Sequence, residues 1–339
     1  MRARCEPAKF KSYRLASKLC SVLNSDDDVV ALYKNRFEKK GGFVMSRTAI
    51  ACLIFACVAF AGRAYAQQDF SQVQMKATHV AGNVHMLEGS GGNIGVSVGP
   101  DGILIVDDQF APLADKIRAL LEKLGEGKLK FVLNTHWHGD HTGGNVEFGP
   151  EAPIIAHDNV RKRLATDQKV FGRVVPASPK EALPVITFDQ SLAVHFNGEE
   201  IRAIHYPHGH TDGDSIIFFT RSNVVHMGDD YFSGMFPFVD LDSGGDVEGL
   251  AKNIEDVIKK LPAGVKIIPG HGPISTIEDL KLYHRMLVET TGVVRKRMSE
   301  GKTLDQIKAA GLPDAWKSWG NGFIKTDQWI EMVHRSLSK

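Results

Sequence analysis

The stretch KFVLNTHWHGDHTGGN, residues 130–145, runs an apolar strand straight into a turn carrying His136, His138, Asp140 and His141. Few arrangements tolerate this. The strand must end where several imidazoles converge on one point, beside glycines that let a bound ion approach the backbone. Imidazoles at positions i and i+2 of an extended turn point to one side, and with a third histidine they make a three-nitrogen site for zinc. Asp140 and His141 leave the same turn in another direction, which supplies a second metal. A lone His-x-His is more often a hydrogen-bonded loop; His-x-His-x-Asp-His directly after a buried strand reads as a metal site.

The rest of the chain alternates strands with helices. Short strands between His79 and Asp108 are broken by glycine and asparagine. An amphipathic helix over 111–124 ends at Gly125. A second set follows: strand PIIAH, a helix from Asp158, and strands PVITF and LAVHF. The Asn197-Gly198 pair then predicts a hairpin into EEIRAIHYP, followed by strands SIIFFT and VVHMGD. Residues 246–261 place Val247, Leu250, Ile254, Val257, Ile258 and Leu261 on one helical face. VKIIPG is a last strand and 276–298 a last long helix. Strands then helix, repeated, predicts an α/β (α+β) chain with two sheets face to face and helices outside. Beyond Gly301, Thr303 and Gln306 form a capping-box pattern for a short helix, and another is expected at 326–337.

The amino-terminal part reads differently. Met45-Ser46-Arg47, an apolar run and Ala64-Tyr65-Ala66 have the order of a secretory signal peptide, with cleavage after Ala66. Residues 1–44 are then expected to be an over-called start, 45–66 the signal peptide, 67–300 the main domain and 301–339 a helical extension. A lipoprotein attached at Cys57 is the alternative. Residues 1–66 hold 12 of the 41 basic and 5 of the 40 acidic side chains, leaving 29 against 35. A net charge of −6 disfavours a nucleic-acid or anionic-membrane surface. All four cysteines fall before residue 67, so the mature chain has no thiolate nucleophile, thiolate ligand or disulfide; all 14 histidines remain. The expected product is periplasmic or secreted, with no lasting membrane attachment and a small-molecule substrate; the oligomeric state is left open.

Further donors sit at later strand ends, next to glycine: His210 in PHGHTDGDS, Asp229 in HMGDD and His271 in IIPGHGP. With HWHGDH, these stretches resemble the metallo-β-lactamase superfamily across nearly all of residues 75–290. The resemblance implies an αββα four-layer sandwich with a two-metal site along one edge. It places His136, His138 and His210 on a first zinc, and Asp140, His141 and His271 on a second. Asp229 then bridges the two, as in the glyoxalase II-like and lactonase-like members. The best-known β-lactamase subclass is similar around His210, yet has a cysteine at the place of Asp229 and lacks the counterpart of His141. Another subclass has that histidine but not the bridging carboxylate.

Two zinc ions about 3.5–4 Å apart acidify a shared water and polarise a carbonyl. Asp140 and Asp229 are therefore the expected catalytic residues, and zinc the expected metal, with iron or manganese as alternatives. Asp107 and Asp214 are candidate carboxylates behind the ligand imidazoles. His205, His208 and His226 are expected to be structural, because strand alternation aims them elsewhere. Phe232, Met235, Phe236 and Phe238 form either an apolar substrate wall or core. The expected function is a hydrolase that opens a cyclic amide or ester, a β-lactam or lactone; the alternatives are a thioester hydrolase of the glyoxalase II-like kind, a mononuclear-iron sulfur or persulfide dioxygenase, and a non-catalytic metal-binding module. Export and the acidic chain disfavour a ribonuclease.

Overall fold

The computed structural model describes residues 69–339. The expected signal peptide, its cleavage site and the upstream segment lie outside the described residues. The strands are β1 Lys76–Ala81, β2 Val84–Glu88, β3 Ile94–Gly99, β4 Gly102–Val106, β5 Leu129–Leu133, β6 Ile154–His157, β7 Gln168–Val170, β8 Arg173–Val175, β9 Ile186–Phe188, β10 Ser191–Phe196, β11 Glu199–His205, β12 Ser215–Phe219, β13 Val224–His226 and β14 Lys266–Ile268. The helices are α1 Ala114–Leu124, α2 Gly139–Thr142, α3 Asn145–Phe148, α4 Asp158–Leu164, α5 Val247–Lys260, α6 Ile277–Ser299, α7 Leu304–Ala310 and α8 Thr326–Leu337.

One sheet has the order β1-β2-β3-β4-β5-β6-β9, the other β10-β11-β12-β13-β14, and β7–β8 is a separate hairpin. The first sheet is antiparallel up to β4 and parallel from β4 through β5 and β6 to β9. The second is antiparallel except where β13 meets β14.

Period-two alternation explains the layering. Leu104, Val106, Leu133 and Ile155 face Ala203, Ile217, Phe219 and Ile268 across the space between the sheets. Their neighbours Ile103, Ile105 and Val132 turn outward onto Ile117 and Leu121 of α1. On the far side Ile216, Val225 and Ile267 pack under Leu250, Ile254 and Val257 of α5 and Leu280, Tyr283 and Leu287 of α6. β4 is buried along its whole length because both its faces are covered. This is the expected αββα sandwich.

The segment beyond Gly301 joins the same packing. α7 carries the Thr303–Gln306 capping box, and Trp316, Trp319 and Trp329 sink into the core beneath α5 and α6. The Asn197-Gly198 hairpin forms as read, with φ of 52° and 76°. The β7–β8 hairpin was not anticipated, since its turn is Phe171-Gly172 rather than an asparagine-glycine pair. No helix of the described residues is long and apolar enough to cross a membrane.

Candidate metal centre

All seven expected donors come to one place, at the ends of strands from both sheets. β5 stops at Leu133, and the chain turns through His136 and His138 into α2, which carries Asp140 and His141. His210 lies in the loop from β11 to β12, Asp229 in a 3-10 turn after β13, and His271 after β14. They form two groups, His136–His138–His210–Asp229 and Asp140–His141–His271, with the donor atoms of each group within 4.8 Å of one another.

Asp229 spans the groups. Its Oδ2 is 3.8 Å from His136 Nε2 and 3.6 Å from His210 Nε2. Its Oδ1 is 3.0 Å from His141 Nε2 and 3.4 Å from His271 Nε2. Asp140 Oδ2 lies 3.3 Å from His271 Nε2. Four of the five imidazoles are pinned from behind. Asp107 accepts from His141 Nδ1 at 2.7 Å and from the Thr135 hydroxyl at 2.8 Å. That hydroxyl in turn accepts from His136 Nδ1 at 3.0 Å. Asp240 accepts from His138 Nε2 at 3.0 Å, and the Phe238 carbonyl from His210 Nδ1 at 2.7 Å.

These anchors fix the tautomers. A carboxylate or carbonyl oxygen only accepts, so on the neutral rings His138 Nε2, facing Asp240, and His210 Nδ1, facing the Phe238 carbonyl, carry the proton and leave the other nitrogen bare. His138 Nδ1 and His210 Nε2 therefore point lone pairs at each other across 2.8 Å, while buried His136 Nε2 has no hydrogen-bond partner. Facing lone pairs repel unless a cation lies between them. The donor set fits a metal pair.

Proton affinities divide along the same line. Burial, with neighbouring imidazoles, holds His136 well below the usual histidine range and His210 down to about 4. Burial works the same way on His141 and His271, but Asp229, Asp140 and, for His141, Asp107 outweigh it. His141 is raised and His271 reaches about 9. Asp229 stays ionised despite burial because His141 and His271 flank it. The same two histidines hold Asp140 down to about 2. The open side of the centre is where Asp140 and His271 keep 30% and 24% of their side chains exposed.

Two glycines are dictated by this crowding. A Cβ on Gly92 would sit 2.1 Å from the His141 ring, and one on Gly270 would sit 2.1 Å from Asp229 Oδ1.

The expected supporting residues are redistributed. Asp107 anchors an imidazole. Asp214 does not: its carboxylate takes the Thr211 N–H at 2.7 Å and the Thr211 hydroxyl, bracing the loop just after His210. Asp240 occupies the anchoring role instead, and Thr135 relays Asp107 to His136. The sequence gives no local sign of Asp240, which is 102 positions from His138. Nor does it mark Thr135, apart from its place next to the motif.

Of the apolar wall, Phe236 is core, stacked on Trp329 at 5.7 Å, because α8 covers it. Phe232 is buried and stacks on the His271 ring at 5.0 Å. Met235 is half-buried beside Gly322. Phe238 remains at the site, its ring 5.7 Å from those of both His138 and His210. His205 and His226 are structural: His205 bonds the Asp214 carbonyl, and His226 ties Asn93 to Gly228. His208 is exposed on the loop surface.

A hydroxyacylglutathione hydrolase of Rhodospirillum rubrum is 32% identical over 164 residues, covering 47% of this chain and 54% of that protein. The chain thus spans about half the length of that relative. Another hydroxyacylglutathione hydrolase, from Prochlorococcus marinus strain NATL1A, is 27% identical over 224 residues, covering 58% of this chain and 77% of that protein. A solved metallo-beta-lactamase from Pontibacter korlensis shares the fold with a TM-score of 0.54 at 15% identity, over 63% of this chain and 99% of that one. Residues 82–276, the span that holds all seven donors, match the model of the metallo-beta-lactamase superfamily, and the chain belongs to that family.

Proposed function

We propose that the protein is a two-metal hydrolase that opens a cyclic amide or ester, a β-lactam or lactone. The observation that carries this reading is Asp229, whose two oxygens face the two donor groups separately. His136, His138 and His210 would hold one zinc and Asp140, His141 and His271 the other, with Asp229 shared. Two zinc ions so held supply an acidified water and Lewis-acid polarisation of the scissile carbonyl.

The chain's own groups do the remaining work. Asp107, Thr135, Asp240 and the Phe238 carbonyl keep the imidazoles in one tautomer and orientation. Asp140, ionised and at the open side, is placed to orient an attacking water. Phe232, stacked on His271, and the buried donors keep bulk water from the inner side.

A thioester is the second substrate class, favoured by the similarity to two hydroxyacylglutathione hydrolases. We also propose export, with maturation after Ala66 and a working place in the periplasm or outside the cell; amino-terminal sequencing of the exported protein tests it.

The functional test combines metal analysis with turnover of a chromogenic β-lactam, a lactone and a thioester. The wild type should hold about two zinc per chain. Asp229→Asn keeps the size but loses the charge, and should lower kcat by at least about 10²-fold, in line with losing one strong electrostatic group. Asp229→Cys should retain the second zinc, because thiolate ligates zinc well. Wild-type turnover by Asp229→Asn with metals intact would remove the bridging role, and one iron without zinc would turn the reading to a sulfur dioxygenase.

A further inference from the structure

Away from the seven donors, a second set of histidines joins the two sheets. His157 ends β6 of the first sheet and His205 ends β11 of the second. Their rings are stacked, with centroids 3.7 Å apart and planes at 13°. The chain passes from β9 to β10 beside them, through Asp189 and Gln190, and the His205 N–H donates to the Gln190 carbonyl at 2.8 Å. Phe188 meets the His157 ring edge-on at 5.9 Å. The pair thus sits where the chain changes sheets.

Hydrogen bonds commit His157 to the neutral form. Its Nδ1 accepts from the Asn159 N–H at 3.2 Å, capping α4, so the ring's one proton is on Nε2. That nitrogen is buried and has no hydrogen-bond partner. His205 Nδ1 donates to the Asp214 carbonyl at 2.8 Å. A further proton on His157 must enter at Nδ1, and it would break the cap. Protonating both rings would also set two like charges face to face at stacking distance. Burial holds both histidines below the usual histidine range, with His205 adding to the effect on His157 and His208 to that on His205. Asp189 opposes it at both rings, Asp158 at His157 and Asp212 at His205. Asp212 is itself held by Arg163 through two bonds of 2.7 Å.

We propose that the His157–His205 stack is an acid-sensitive latch between the two sheets, closed while both rings are neutral and opened when they take up protons. Above the ordinary histidine pKa of about 6.5 the rings are neutral whether stacked or apart. Below it the open form binds protons that the stack refuses, so the closed form loses stability as pH falls. The capped end of α4 carries the change toward the centre, because Asn159 donates to the Asp212 carbonyl at 2.9 Å in the loop that holds His210.

The test is hydrogen exchange of the metal-loaded protein at pH 7 and pH 5, corrected for the intrinsic pH dependence of exchange. It is read at the amides of 186–192 and 203–206, with metal content measured on the same samples. In the wild type the opening of these segments should rise at least about fivefold at the lower pH. His205→Phe keeps a ring to stack on His157 and removes one titrating group. His157→Asn removes the other and keeps an acceptor for the Asn159 N–H, since asparagine caps helices well. Each variant should open no more than about twofold further at pH 5 than at pH 7. The proposal is overturned if the wild type opens equally at both pH values. It is also overturned if both variants keep the full acid-induced rise, because loss of metal or other histidines would then drive the opening.

Discussion

Asp240 decides which nitrogen of His138 faces the centre. Without it, Nε2–H loses its acceptor and the ring is free to turn or change tautomer. Asp240→Ala should therefore weaken metal at the first donor group by about 10- to 100-fold, measured by competition with a chromophoric chelator. Unchanged affinity would mean that packing alone orients the ring. The proton affinities give a second expectation. In the metal-free protein at pH 7, His271 carries a proton on both ring nitrogens and His141 is shifted the same way, whereas His136 and His210 are neutral rings with a single proton. Metal entering the second group must displace those protons. Its affinity should thus fall as pH drops below about 9, by about tenfold per unit for each proton released. His136 and His210 impose no such slope until far lower pH. Titrations in buffers of different ionisation enthalpy read the proton count for each step. At this scale the donors were legible because each sits in a short run of histidine, aspartate and glycine at a strand end. Their supports were not. Asp214 carries the same local signal as Asp107, and only the folded loop shows that it braces Thr211 instead.

Helix ends and turns show how far local chemistry reaches. α7 begins where Thr303 and Gln306 form their capping box, and α6 runs from Ile277 to Ser299, one residue beyond the periodic pattern at its end. Asn197-Gly198 announces its hairpin, while Phe171-Gly172 hides one behind a residue that turn chemistry disfavours. What no local pattern conveyed is the purpose of α8. Trp329 is fully buried, donates to the Thr290 hydroxyl at 3.0 Å and stacks on Phe236. Met332 accepts the Val239 N–H through its sulfur. The last helix therefore shapes the segment that ends at Asp240, and through Asp240 it reaches His138. Trp329→Ala should cost about 3–5 kcal/mol in urea unfolding. It should also weaken metal at the first group more than at the second; equal weakening would confine α8 to general stability.

Across the whole molecule, the centre joins the layers. His136, His138, Asp140 and His141 follow a strand of the first sheet, while His210, Asp229 and His271 follow strands of the second. A metal at either group ligates both sheets at once, and the unfolded chain offers no such arrangement. Free metal at 1,000 times its dissociation constant should therefore add about 4 kcal/mol per site. Chelation should lower the melting temperature accordingly and leave the inter-sheet contact at the site end most open to hydrogen exchange. A melting temperature indifferent to chelator would sink this expectation. The sheets also divide cleanly along the chain: the last strand of the first ends at Phe188, and the second begins at Ser191. A cut between Asp189 and Gln190 would leave four donors on one fragment and three on the other. Neither fragment would own a complete set. The centre is thus a logical conjunction written in side chains, true only when both fragments are present and in register, and retained metal would report their meeting.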